Sequence, residues 1–180
     1  MDTGLLYRAV ALNLLQTGGE PDSEFAAVRA CDISQIDLAD PELKSEAVGG
    51  IASRISVYPS VRAALVERQR TFASQAGGAV LDGRDIGTVI APDAAVKLFV
   101  TATPEVRAHR RLQELLKRGM SAHREEVLAD IRSRDERDSE RDAAPLRQAA
   151  DAVLLDTSAM DIDQAIAAAI ALVEEQVAQP

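Results

Sequence analysis

Tryptophan is absent from the 180 residues, and only three phenylalanines and two tyrosines are present. At 3%, aromatic side chains are too sparse to form a base-stacking platform for a nucleic acid. The single cysteine, Cys31, excludes an internal disulfide framework, and with only two histidines it argues against a Cys/His zinc site. No histidine lies near Cys31 in sequence, so it reads as a small buried hydrophobe, and no residue set is assigned to a metal. Long apolar runs are missing too. The longest, Ala165 to Val173, spans nine residues, well short of the ~20 that cross a bilayer. The N-terminus has no basic-then-apolar signal pattern, so the expectation is a soluble, cytoplasmic protein without a membrane partner. Acidic residues outnumber basic ones by 29 to 20, giving a net charge of −9, which argues against a nucleic-acid partner.

Lysine is scarce as well: Lys44, Lys97 and Lys117 are the only three among 20 basic residues. The arginine fork binds phosphate bidentately, so the bias suits phosphoryl chemistry. Codon bias in a GC-rich genome would produce the same excess.

What is present is globular: 47% hydrophobic and 27% charged residues. Leu6, Val10 and Leu14 at fourth-residue spacing predict a helix that opens after Asp2-Thr3-Gly4 and stops at Gly18-Gly19. Helices follow around Phe25–Cys31, Ser45–Val57 and from Pro59, the last carrying Val61, Leu65 and Phe72 on one face and stopping at Gly77-Gly78. Three short apolar runs then read as strands: Ala79–Leu81, Val96–Val100 and Ala152–Leu155. Between and after them lie helices over Pro104–Arg118, about Arg124–Arg141, and Asp161–Val177. Strands alternating with helices predict an α/β fold with a parallel sheet flanked by helices, as one domain over residues 1–180.

Parallel sheets hold ligands at the carboxyl ends of their strands. That makes Asp82-Gly83-Arg84-Asp85 the most suspicious local feature, one arginine between two carboxylates at a strand end. It reads either as a nucleotide-contacting turn or as an ordinary turn with a surface ion pair. A phosphatase nucleophile at Asp82 is disfavoured, because haloacid-dehalogenase-type sites need one residue between their aspartates and here there are two. Arg134, Arg137, Asp138 and Arg141 share one helix face at i, i+3, i+4 and i+7. They either face an anion or form a solvated, ion-paired surface. Arg107, Arg110 and Arg111 carry the same two readings.

The order of these pieces resembles bacterial cytidylate kinases, a family of P-loop nucleoside monophosphate kinases. The resemblance runs through Asp2-Thr3-Gly4-x-x-Tyr7-Arg8, Ala52-Ser53-Arg54, Pro59-x-Val61-Arg62 and Gln69-Arg70. It continues through Leu81-Asp82-Gly83-Arg84-Asp85-Ile86-Gly87-Thr88-Val89, Arg134-Asp135-x-Arg137-Asp138-x-x-Arg141 and Ala144-Pro145-Leu146. It implies a P-loop NTPase-type sheet with a helical acceptor segment over 19–76 and a lid region over 107–141. The implied reaction transfers the terminal phosphoryl of ATP, with Mg²⁺, to CMP or dCMP, in a monomer. By resemblance Ser53, Arg62 and Asp85 recognise cytosine, Arg134 and Asp138 the sugar, and Arg8, Arg84 and Arg141 the acceptor phosphate. Arg107, Arg110 and Arg111 become lid or ATP candidates.

The family also begins with a strand, a Gly-x-x-x-x-Gly-Lys phosphate loop and a helix, and none of these occurs in the 180 residues. The expectation is that Met1 is a mis-assigned start or the chain a truncation, that ATP loses its main site, and that activity of the chain alone is doubtful. In the family the missing strand lies centrally, between those matching Ala79–Leu81 and Val96–Val100, so its loss splits the sheet. A non-catalytic pyrimidine-nucleotide binder, or a relative selective for UMP or AMP, are the alternative readings.

Overall fold

The computed structural model describes residues 1–178. Their contacts divide the chain into two compact units: Met1–Ala91 with Glu140–Leu146, and Pro92–Ser139 with the chain from Arg147 onward. The first unit thus contains the expected 19–76 segment together with the first helix and the Asp82–Asp85 turn.

In the first unit, α1 (Gly4–Gln16), α2 (Glu24–Arg29), α3 (Glu46–Ile55) and α4 (Pro59–Ala73) surround one core. The apolar spacing of Leu6, Val10 and Leu14 predicts α1, but Ala9, Ala11 and Leu12 are buried as well. Helix α1 is therefore central, and it packs on α3 and on the 3₁₀ turn Pro41–Lys44. Leu43, Val48, Ile55, Val61 and Leu65 complete the core around it. Ser45 caps α3 by accepting from Val48 N at 3.2 Å, which orders the start of that helix.

The expected strand over Ala79–Leu81 does not form. Val80 is 85% exposed, and among the described residues the segment through Asp82 has only Met1–Thr3 as backbone partners. Asp82 N donates to Met1 O (2.9 Å) and Thr3 N to Asp82 O (2.9 Å), an isolated parallel bridge between Asp2 and Asp82. A β-rich sequence needs a paired neighbour to be a strand, and here it has three residues of one. After Asp85 the chain enters a π-helical turn, Ile86–Ile90, marked by Ala91 N donating to Ile86 O at 2.8 Å.

The second unit holds the sheet. β1 (Leu98–Thr101) and β2 (Val153–Asp156) pair in parallel with Leu98 opposite Val153 and Thr101 opposite Asp156. This is α/β architecture, as expected, with two strands in place of three among the described residues. α5 (Pro104–Lys117) starts on a Thr103 cap and packs through Ala108 and Leu115 on Val127 of α6 (Arg124–Glu140). Arg107 and Asp135 form a bidentate pair at 2.8 and 2.6 Å, and Arg132 bonds Glu105 at 2.7 Å, so the same two helices are tied twice. Helix α7 (Ile162–Ala178) follows β2. No helix among the described residues is long and apolar enough to cross a membrane.

Helix α6 ends at Glu140, within one residue of the expected end about Arg141. Beyond it Ala144 adopts φ 51°, the left-handed region that non-glycine residues rarely enter. In that turn Arg141 Nε donates to Ala144 O at 2.7 Å.

Candidate active site

The first unit gathers most of the predicted residues at the start of α1. Thr3 does not cap its helix. Its side chain donates instead to Asp82 O at 2.8 Å, while Asp2 Oδ1 takes the Gly4 N–H at 2.9 Å. Thr3 thus bonds Asp82 O through both backbone and side chain, pinning α1 to the Asp82–Asp85 turn. The approach is close enough to require glycine at position 83. A Cβ there would meet Thr3 Oγ1 at 2.3 Å and Ile86 Cδ1 at 2.8 Å.

Within this turn Arg84 is exposed and Asp85 is buried. Asp85 pairs with Arg62 of α4, both side chains only 7% exposed. A buried ion pair is costly unless further groups satisfy the guanidinium. Here Arg62 Nη1 also donates to Ser56 O at 3.3 Å, and its Cζ lies 5.9 Å from the centre of the Tyr7 ring. Ser56 Oγ in turn donates to Ser53 O at 2.9 Å. Ser53 is itself 5% exposed, and its hydroxyl has no hydrogen-bond partner among the described residues. Buried polar atoms are rarely left so. This hydroxyl is available to a ligand.

Burial raises the Tyr7 phenol above its ordinary value; Arg62 opposes that, Asp85 adds to it, and Arg141 and a hydrogen bond with Gln69 oppose it. Tyr7 therefore stays neutral and lies within electrostatic reach of Arg62, Asp85 and Arg141. One residue on, Arg8 Nη1 donates to Leu43 O (2.7 Å) and Ser45 O (3.1 Å). Arg8, Ser53, Arg62, Arg84, Asp85 and Arg141 all belong to this unit.

The other predicted residues belong to the second unit. Arg134 Nε stands 3.8 Å from Asp138 Oδ2, an ion-pair distance too long for a good hydrogen bond, and Asp138 is buried. Arg107 is held by Asp135 and by Ala102 O (2.9 Å). Its pKa is raised, first by the hydrogen bond to Asp135. Arg110 donates to Thr157 Oγ1 (3.1 Å), Thr157 O (2.6 Å) and Met160 O (2.9 Å), and Arg111 to Glu114 at 2.7 Å. To reach a nucleotide, Arg107 and Arg110 would have to exchange these partners. Among the described residues no three His, Cys, Asp or Glu side chains converge as a metal cage.

The sequence model of the family described as cytidylate kinase matches residues 1–175. The chain belongs to the cytidylate kinase family. It is similar to the cytidylate kinase of Caulobacter sp. strain K31, 56% identical over 177 residues, which are 97% of this chain and 81% of that protein. It is similar also to those of Rhodopseudomonas palustris strain TIE-1 (57% over 177 residues, 97% and 82%) and Azorhizobium caulinodans (58% over 175 residues, 97% and 84%). Membership in the cytidylate kinase family makes this a nucleotide-binding phosphotransferase. It places the Asp-Gly-Arg-Asp turn and its buried pair within a kinase.

Sequence reasoning assigned no role to Tyr7, Gln69 or Gly49. Tyr7 and Gln69 gave no readable signal beyond lying in quoted motifs. The Gly49-Gly50 pair inside a helix did carry one, because glycine there normally needs a packing reason.

Proposed function

We propose that the chain binds CMP or dCMP as acceptor and takes part in transfer of the terminal phosphoryl of ATP to it. The observation that carries this reading is the buried Arg62–Asp85 pair, linked through Ser56 to Ser53 and its unpartnered hydroxyl. Cytosine offers an amino donor beside ring and carbonyl acceptors. Asp85 accepts from the amino group, and Arg62 with Ser53 serves the acceptor edge. Uracil would set a carbonyl oxygen against the Asp85 carboxylate, which leaves a buried acceptor unpaired.

Arg8, Arg84 and Arg141 neutralise and orient the acceptor phosphate. One of its oxygens attacks the γ-phosphorus; the new P–O bond forms as the bond to the β-phosphate oxygen breaks, giving CDP and ADP. Such transfer depends on positioning and charge neutralisation more than on covalent help. Mg²⁺ carried on the ATP phosphates would supply further charge neutralisation there. By resemblance Arg134 and Asp138 serve the sugar, residues 19–76 form the acceptor segment and 107–141 the lid. Arg107 then braces α5 against α6, Arg110 ties α5 to Thr157 and Met160 after β2, and Arg111 remains a lid candidate beside Glu114. We place the protein in the cytoplasm, as a monomer.

A second reading, a non-catalytic binder of pyrimidine nucleotides, is favoured by one fact: Arg8, Ser53, Arg62, Arg84, Asp85 and Arg141, all acceptor-side residues by resemblance, stand together in the first unit. A coupled ADP-release assay with CMP, dCMP, UMP and AMP separates the two. CMP-dependent turnover that Arg84→Ala reduces more than it reduces CMP binding supports the kinase reading. CMP binding without turnover supports the binder, preference for UMP contradicts the kinase reading's cytosine specificity, and preference for AMP contradicts both.

A further inference from the structure

Gly49 and Gly50 sit side by side in α3, where each glycine costs about 1 kcal/mol relative to alanine. Their surroundings differ. A Cβ on Gly50 would meet nothing within 4 Å. On Gly49 it would lie 2.8 Å from Nη2, 2.9 Å from Nη1 and 3.1 Å from Cζ of Arg8. The forked end of Arg8 thus rests against bare helix backbone on one side, while Nη1 is held by Leu43 O and Ser45 O.

We propose that Gly49 is a positioning residue for recognition of a phosphate monoester, because its missing side chain sets where the Arg8 guanidinium lies. The inference rests on the reading of Arg8 as a phosphate-holding residue. The clashing atoms are the far end of a flexible side chain, so an added methyl moves the guanidinium and leaves the helix where it is. Stability and binding then respond with opposite signs. Alanine at 49 favours the helix, as it does at 50. Only at 49 does it disturb the arginine, whose charge-assisted bonds to phosphate are sensitive to geometry.

The test uses the 180-residue chain and its variants Gly49→Ala, Gly50→Ala, Arg8→Ala and the Gly49→Ala/Arg8→Ala double variant. Urea melts report folding, and calorimetry reports affinity for CMP and for cytidine, which lacks the phosphate. Gly49→Ala is expected to weaken CMP by roughly tenfold, the scale of one charge-assisted hydrogen bond, while leaving cytidine unchanged. Gly50→Ala is expected to change neither affinity, and both variants to be at least as stable as the parent. In the Arg8→Ala background Gly49→Ala should add nothing. Parental CMP affinity in Gly49→Ala, equal weakening of CMP and cytidine, a further loss in the Arg8→Ala background, or loss of folding would each overturn the proposal. Parental CMP affinity in Arg8→Ala would remove the phosphate reading of Arg8 beneath it.

Discussion

Replacing Asp85 by alanine removes one partner of a buried ion pair and leaves the other in place. Both side chains are 7% exposed, so water cannot solvate the stranded Arg62 guanidinium without opening the turn. Breaking such a pair from one side costs about 3–5 kcal/mol. Arg62 keeps the Ser56 carbonyl at 3.3 Å and the Tyr7 ring at 5.9 Å, which places the expected loss near the lower end, about 3 kcal/mol. Asp85→Asn retains shape and an acceptor but loses the charge, and should cost roughly half as much, about 1–2 kcal/mol. The double variant Arg62→Met/Asp85→Leu removes both charges and should return to within about 1 kcal/mol of the parent. Urea denaturation followed by circular dichroism measures all three against a total stability of about 5–15 kcal/mol. A loss below about 1 kcal/mol for Asp85→Ala, or a double variant less stable than either single one, would refute the argument that burial makes this pair interdependent.

Three further outcomes follow from neighbouring contacts. Gly83→Ala forces a methyl group onto Thr3 Oγ1 and Ile86, and should lower stability by about 1–3 kcal/mol in the same urea assay; an unchanged midpoint would mean that α1 is not held by this turn. Ser45→Ala removes the cap on Val48 N and should cost about 1 kcal/mol, with α3 amides losing hydrogen-exchange protection first. The folded-state pKa of Tyr7 is raised above 10.0, so its contribution is complete below that pH and is lost as pH climbs towards the folded value. Tyr7→Phe should therefore flatten the alkaline fall in stability, and an identical fall in both proteins would contradict the assignment.

Local signals carried the helices well. Ser45 and Thr103 cap α3 and α5 through bonds to Val48 N and Val106 N, and the glycine and proline boundaries of α1, α4 and α5 lie within a few residues of where they were read. Helix α6 too, Arg124–Glu140, lies within one residue of the span read from its charged run. Strands were less legible, since Ala79–Leu81 has the composition of a strand but, among the described residues, only Met1–Thr3 beside it, and composition cannot supply a partner. At the site, residue types were readable and pairings were not. Arg62 and Asp85 are 23 residues apart, Arg8 meets the carbonyl of Leu43 35 residues away, and Arg107 meets Asp135 across two helices. Such contacts arise from packing, which periodicity does not encode.

The central claim is that Arg62, Asp85 and Ser53 form a cytosine-reading site. Calorimetric titration of the parent chain and Asp85→Asn with CMP and UMP tests it most directly. The parent should prefer CMP by roughly tenfold or more, and Asp85→Asn should lose most of that preference, since one buried unpaired polar group is worth about 1–3 kcal/mol. Equal affinity of the parent for the two nucleotides, or an undiminished preference in Asp85→Asn, would contradict it.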